Sequence, residues 1–180
     1  MTITAPYRAL NAALHAAAPE YGAQGGRWLA LVQALAERHQ AASILDYGCG
    51  KNSLLTALAP RLPATRLAAY DPALPQYAAA PEPADLVVCT DVLEHIEPDA
   101  LEAVLADLRR LALKAAFLVV STRPARRMLA DGRNAHLIQQ PPEWWLPRLW
   151  PHFQVLSFRL SSHLEPEDEF QAIVRPRPAG

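Results

Sequence analysis

The chain has 180 residues, of which 51% are hydrophobic and 19% charged, and its formal net charge is -1. That balance supports a folded globular domain with a sizeable apolar core and excludes a disordered chain. It also excludes a global basic field that would recruit nucleic acid or an anionic membrane, leaving only a local basic patch open.

Met1 to Leu14 lacks the basic start and continuous apolar run of a secretory signal, and no stretch is long and apolar enough to span a bilayer. Two cysteines, Cys49 and Cys89, cannot build a disulfide framework or a Cys-rich zinc site. They are expected to be buried thiols in a reducing compartment, so the protein is predicted to be cytoplasmic. A single domain is expected over residues 1–180, with a helical segment at residues 1–26.

In chain order, an Ala-rich helix is predicted from about Pro6 to Ala18, stopped by Pro19 and the Gly-containing Tyr21 to Gly26. Trp28, Leu31, Val32 and Leu35 recur at helical spacing, opposite Gln33, Glu37 and Arg38. Ser43 to Tyr47 is a strand ending in the Gly48-Cys49-Gly50 turn, and a helix is expected from about Asn52 to Leu62. Arg66 to Tyr70 is the second strand, closed by Asp71-Pro72, and Ala73 to Pro83 has no clear period.

Asp85 to Cys89 is the third strand. Leu101, Val104, Leu105, Leu108 and Leu111 form a helical stripe, with Pro98 and Asp99 suited to its first turn. Ala115 to Val120 is almost continuously apolar, as a strand covered on both faces should be. A long polar loop from Ser121 to Gln140 leads to an aromatic helix opened by Pro141-Pro142-Glu143 and running through Trp150. Phe153 to Leu160 and Glu169 to Arg175 alternate as strands, joined by the polar stretch Ser161 to Asp168. The order predicts a three-layer doubly wound α/β domain, mostly parallel, with one antiparallel strand at its C-terminal edge.

Asp46-Tyr47-Gly48-Cys49-Gly50-Lys51-Asn52 sits between a strand and a helix. Glycine there allows a sharp turn and a close ligand approach, at the place where open α/β sheets hold cofactors. Asp71 ends the next strand, where an ionised carboxylate can accept both hydroxyls of a ribose. A dinucleotide fingerprint would need glycine at position 53, which is Ser53, and the only Tyr-x-x-x-Lys pattern, Tyr47 to Lys51, lies inside the glycine turn.

Ile44 to Gly50 resembles motif I of the class I S-adenosylmethionine-dependent methyltransferases. Tyr70-Asp71-Pro72 resembles their second motif, and Asp85 to Ile96 (DLVVCTDVLEHI) resembles their strand-four motif, similar to that of the ubiquinone-pathway O-methyltransferases. The resemblance implies S-adenosylmethionine as cofactor, held by Asp46, Gly48, Gly50, Asp71 and Asp91. Two departures stand out. The usual third glycine is Asn52, which tolerates left-handed backbone, and the stretch from Asp71 to Asp85 is too short for the family's helix and third strand. The adenine side is then open, or closed by the N-terminal segment.

The chemistry is expected near the carboxyl ends of the central strands. Asp91-x-x-Glu94-His95 resembles the acid-x-x-Glu-His pattern of metal-dependent methyltransferases, including the small-RNA 3′-end 2′-O-methyltransferases, in which a further ligand follows the fifth strand. The matching residue is His136. The resemblance thus implies a divalent site of Asp91, Glu94, His95 and His136 for Mg²⁺, Mn²⁺ or Zn²⁺. Without a metal, His95, His136 or Asp91 would serve as catalytic groups, and the bland alternative is that the cluster only stabilises its loop.

Arg123, Arg126, Arg127 and Arg133 suit an anionic acceptor, while Trp144, Trp145 and Trp150 are expected to pack their helix onto the sheet. The predicted activity is methyl transfer to a small-molecule acceptor, at oxygen. The alternatives are a non-catalytic S-adenosylmethionine-binding module and a nucleic-acid 2′-O-methyltransferase. With no inserted lid, the site is either open to a large acceptor or completed by a second subunit in a homodimer.

Overall fold

Period-two alternation on the central strands decides the layering. The computed structural model describes residues 3–18, 20–161 and 168–178. In β1 (Ser43–Tyr47), Ile44 faces one layer and Leu45 the other. The same split runs through β3 (Ala84–Thr90), where Leu86 and Val88 oppose Val87 and Cys89, and β4 (Ala112–Ser121), where Phe117 and Val119 oppose Leu118 and Val120. All these side chains are buried, so each face needs a helical cover.

Helices α2 (Leu29–Arg38) and α3 (Ser53–Leu58) cover the Ile44 face through Val32, Leu35, Leu54 and Leu58. The Leu45 face is covered by α4 (Leu101–Leu111), by α5 (Pro142–Leu149) and by the N-terminal α1 (Ala5–Ala17). The α4 stripe of Leu101, Val104, Leu105, Leu108 and Leu111 is entirely buried, at roughly 2–5 kcal/mol for each leucine cut back to alanine. At the start of α1, Thr4 caps the helix by accepting from Tyr7 N, while its own backbone N and hydroxyl donate to the Glu97 carboxylate at 2.8 and 2.9 Å. These bonds moor α1 to the segment before α4.

The remaining strands are β2 (Arg66–Tyr70), β5 (Phe153–Ser161) and β6 (Glu169–Pro176). The sheet order is β2-β1-β3-β4-β6-β5, and β6 alone among these strands runs antiparallel, to both β4 and β5. Ala73 to Pro83 holds only a 3₁₀ turn at Pro75–Tyr77, so the third strand of the usual methyltransferase order is absent. β2 is therefore the sheet edge.

Several boundaries differ from the sequence reading. α3 stops at Leu58 instead of reaching Leu62, because Pro60 has no N–H to continue the ladder and the chain closes in turns onto Leu58 O. β4 starts three residues earlier, at Ala112, directly from the end of α4, and α5 ends at Leu149. Most of the polar stretch from Ser161 to Asp168 lies outside the described residues. Both cysteines are free and buried, and among the described residues no helix is long and apolar enough to cross a membrane.

Candidate active site

The chain runs from β1 out to β2, then crosses back to β3 on the other side of β1. That reversal opens a crevice at the carboxyl ends of β1 and β3, and a cavity of about 630 Å³ lies there, within the roughly 300–1,000 Å³ range of cofactor and small-molecule sites. The glycine turn forms its floor. Gly48 has φ +83 and Gly50 φ +50, and a side chain on either would collide with neighbouring protein atoms. A Cβ on Gly48 would overlap Val92 Cγ2, and one on Gly50 would lie 2.5 Å from Gly22 O. Asn52 takes the left-handed conformation, φ +59, where the family's third glycine would stand.

Asp71 closes β2 beside this turn. Its Oδ2 accepts from Gly50 N at 3.1 Å and its Oδ1 from Ala73 N at 3.0 Å, which aims the carboxylate and leaves further lone pairs toward the cavity. Asp46, 5% exposed, lines the cavity, and its carboxylate takes no hydrogen bond among the described residues. Burial, and secondly the Asp71 charge, push its carboxyl up to about 7.

Directly after β3 comes Asp91, which has φ +57 and donates its N–H to Val119 O at 3.0 Å. Its carboxylate belongs to an ion-pair cluster that the sequence reading did not foresee. Arg27 Nη2 donates to both Asp91 oxygens at 2.9 Å and to Glu169 Oε2 at 2.7 Å. Asp91 thus lies outside the predicted metal set: the ligand atoms that converge within 4.8 Å of one another are those of Glu94, His95 and His136.

Those three are well prepared. Glu94 is fully buried; Oε1 accepts from Ser121 N at 3.0 Å and Oε2 has no partner among the described residues. Burial first, and the Asp91 charge second, raise its carboxyl well above the usual range. His95 Nδ1 lies 2.8 Å from Ala135 O and His136 Nδ1 2.6 Å from Arg123 O, so each ring spends Nδ1–H on a carbonyl and keeps the Nε2 lone pair. Burial, helped by His136, lowers His95 to about 3, and burial also lowers His136. Both imidazoles are therefore neutral near pH 7. Asn134 organises the loop that delivers His136, bonding Ala125 N and O at 2.9 Å each and accepting from His136 N at 2.9 Å. Ile138 N then donates to Glu94 O at 2.9 Å.

The N-terminal segment roofs the cavity. Tyr7 OH donates to His95 O, and Tyr21 stacks edge to face between His15, 4.7 Å away, and His95, 6.0 Å away. The His95 and His136 rings meet at 4.7 Å and 89°. Arg27, His15, Tyr21 and Glu169 all line the cavity and were missed from sequence, since a lone residue of each type carries no periodic or motif signal.

The arginine loop is less free than its composition suggests. Arg123 pairs with Asp168 at 3.5 Å, Arg127 with Glu20, and Arg133 with Asp131 at 2.8 Å. Arg123, Arg126 and Arg127 line the cavity, and Arg133 instead lies over the Tyr7 ring. Trp145 is fully buried, as packing predicts, whereas Trp150 is 58% exposed.

Residues 20–164 match the family described as a methyltransferase domain. The chain belongs to that family. With motif I and the acidic end of β2 in place, this methyltransferase is of the class I, S-adenosylmethionine-dependent kind. No curated protein sequence matches it significantly. Solved structures share the fold at low identity. A Burkholderia thailandensis 1,6-didemethyltoxoflavin-N1-methyltransferase, solved with its acceptor and S-adenosylhomocysteine, is 15% identical with TM-score 0.61, over 88% of this chain and 80% of that one. The mitomycin 7-O-methyltransferase MmcR is 14% identical with TM-score 0.60, over 83% of this methyltransferase, which spans only 54% of MmcR. The methyltransferase domain of a bacterial Hen1 is also 14% identical, with TM-score 0.60 over 83% of this chain and 98% of that domain.

Proposed function

We propose that the protein transfers the methyl group of S-adenosylmethionine to an oxygen of a small acceptor, with a divalent cation at Glu94, His95 and His136. The observation that carries the reading is that the glycine turn, Asp71, His95 and His136 open into one cavity, with the buried Glu94 grouped with the two histidines. Asp71 would take the ribose hydroxyls, and Asp46 the cofactor's ammonium group. Methyl transfer is an in-line displacement, so the walls mainly align donor and acceptor.

The cluster fits a cation on chemistry as well as distance. The buried carboxylate oxygen of Glu94 lacks a partner, and both imidazoles are neutral with Nε2 available. One carboxylate with two imidazoles suits Mn²⁺ or Zn²⁺ better than Mg²⁺. When bound, the cation would hold acceptor oxygens and lower the pKa of the one attacked. Arg126, which lines the cavity and has no carboxylate partner among the described residues, supports an anionic group elsewhere on the acceptor.

Calorimetry tests both halves. S-adenosylhomocysteine should bind the metal-free protein, and no heat at millimolar ligand would defeat the cofactor half. Mn²⁺ should bind wild type about ten-fold or more tighter than Glu94→Gln, read directly by Mn²⁺ electron paramagnetic resonance. Equal binding by both proteins would remove the metal. A vicinal-diol acceptor screen with and without chelator then reads the transfer.

A further inference from the structure

We propose that His15, on the inward stripe of α1, recognises the ribose of the cofactor; this rests on the cofactor reading above. Tyr7, Asn11 and His15 follow one another at about one helical turn and all line the cavity. Tyr7 gives its hydroxyl to His95 O, and Asn11 gives its amide to Tyr7 O at 3.2 Å. His15 is different. It is 7% exposed, and its Nδ1 is buried with no hydrogen-bond partner among the described residues. A buried imidazole nitrogen left unpaired is costly, and a bound ligand is what can pair it.

The surroundings assign the ligand. His15 O accepts from Lys51 Nζ at 3.0 Å, tying this turn of α1 to the residue after the glycine turn. A Cβ on Gly22 would lie 2.7 Å from His15 Cε1, so the absence of a side chain there is what lets the ring in. Gly22 in turn backs onto Gly50, whose N–H is held by Asp71. His15 and Asp71 therefore flank the same turn, one from α1 and one from the end of β2.

The chemistry selects a hydroxyl. Burial lowers the His15 pKa, against Asp71 and a hydrogen bond to the Tyr21 backbone, so the ring is neutral and Nδ1 is the nitrogen left for a ligand. A neutral ring gives a phosphate no countercharge, whereas a ribose hydroxyl can pair with Nδ1 either as donor or as acceptor. No strand lies beyond β2, and α1 brings Tyr7, Asn11 and His15 to the cavity.

The test is calorimetry with S-adenosylhomocysteine and its 2′-deoxy and 3′-deoxy analogues, on wild type, His15→Phe and His15→Gln, with melting curves as a check on folding. His15→Phe should weaken S-adenosylhomocysteine roughly three- to ten-fold, and His15→Gln less. One deoxy analogue should lose a similar factor on wild type, and that loss should shrink by about three-fold or more on His15→Phe. The proposal is overturned if His15→Phe stays within about two-fold of wild type, or if both proteins lose equally on the deoxy analogues. Absence of wild-type binding to S-adenosylhomocysteine would instead overturn the cofactor reading.

Discussion

Arg27 holds Asp91 with a single guanidinium nitrogen, 2.9 Å from each carboxylate oxygen, and its ring neighbour Trp28 lies under the same guanidinium at 4.7 Å. The same nitrogen reaches Glu169, so one residue before α2 ties the end of β3 to the start of β6 across the mouth of the cavity.

Arg27→Ala should therefore uncover two like charges. Side-chain exposures of 32%, 34% and 8% for Arg27, Asp91 and Glu169 place the cluster between surface and buried behaviour, and the expected loss is about 1–2 kcal/mol. Without Arg27 the Asp91 carboxyl, already raised by burial, rises further beside the Glu169 charge, and an acid with a raised folded pKa loses stability as pH climbs. The deficit in urea unfolding should thus be larger at pH 8 than at pH 5, and adding Glu169→Gln should recover part of it. A deficit independent of pH would rule out the electrostatic account.

Asp46 predicts opposite pH trends for folding and for cofactor binding. Its folded pKa of about 7 stands above the unfolded 3.8, so its contribution favours folding below about pH 4 and is lost as pH rises through 7. Binding a cationic cofactor needs the ionised form, so affinity should climb between pH 6 and 8 and then level off. Asp46→Asn should flatten both curves, stabilise the free protein at pH 8 and weaken S-adenosylmethionine roughly ten-fold there. Thermal melts and calorimetry over pH 5–8.5 measure both; an unchanged binding profile in the variant would exclude Asp46 as the titrating group.

Gly50→Ala tests the fit between the glycine turn and the N-terminal segment. The left-handed φ of +50 costs an L-residue about 1–2 kcal/mol, and the new methyl meets Gly22 O at 2.5 Å. Loss of the Lys51 N to Gly22 O bond at 2.8 Å should follow. Amides near Gly22 should exchange faster with deuterium, and cofactor affinity should fall with them. Wild-type protection at Gly22 would contradict the packing role.

The layered sheet and the place of the cavity were legible because they depend on short patterns. The apolar run in Asp85 to Cys89, the α4 leucine stripe and the glycine turn each act through neighbours in the chain, and each formed in the expected segment. The missing third strand was equally legible, since too few residues separate Asp71 from Asp85. Boundaries failed where a distant contact or a single proline decided them, as at Leu58 and Ala112.

Residue type and order by themselves determined the fold class, the cofactor turn and the nearness of Glu94 to His95, because these follow from backbone geometry over a few residues. Only the tertiary structure decided that Asp91 leaves the cluster for Arg27, that His136 arrives on the Asn134-braced loop, and that α1 lays His15 against Gly22. Each of those pairs is separated by tens of residues or set by the path of a loop. Competition among buried charges and close packing, which no local pattern encodes, chooses such partners.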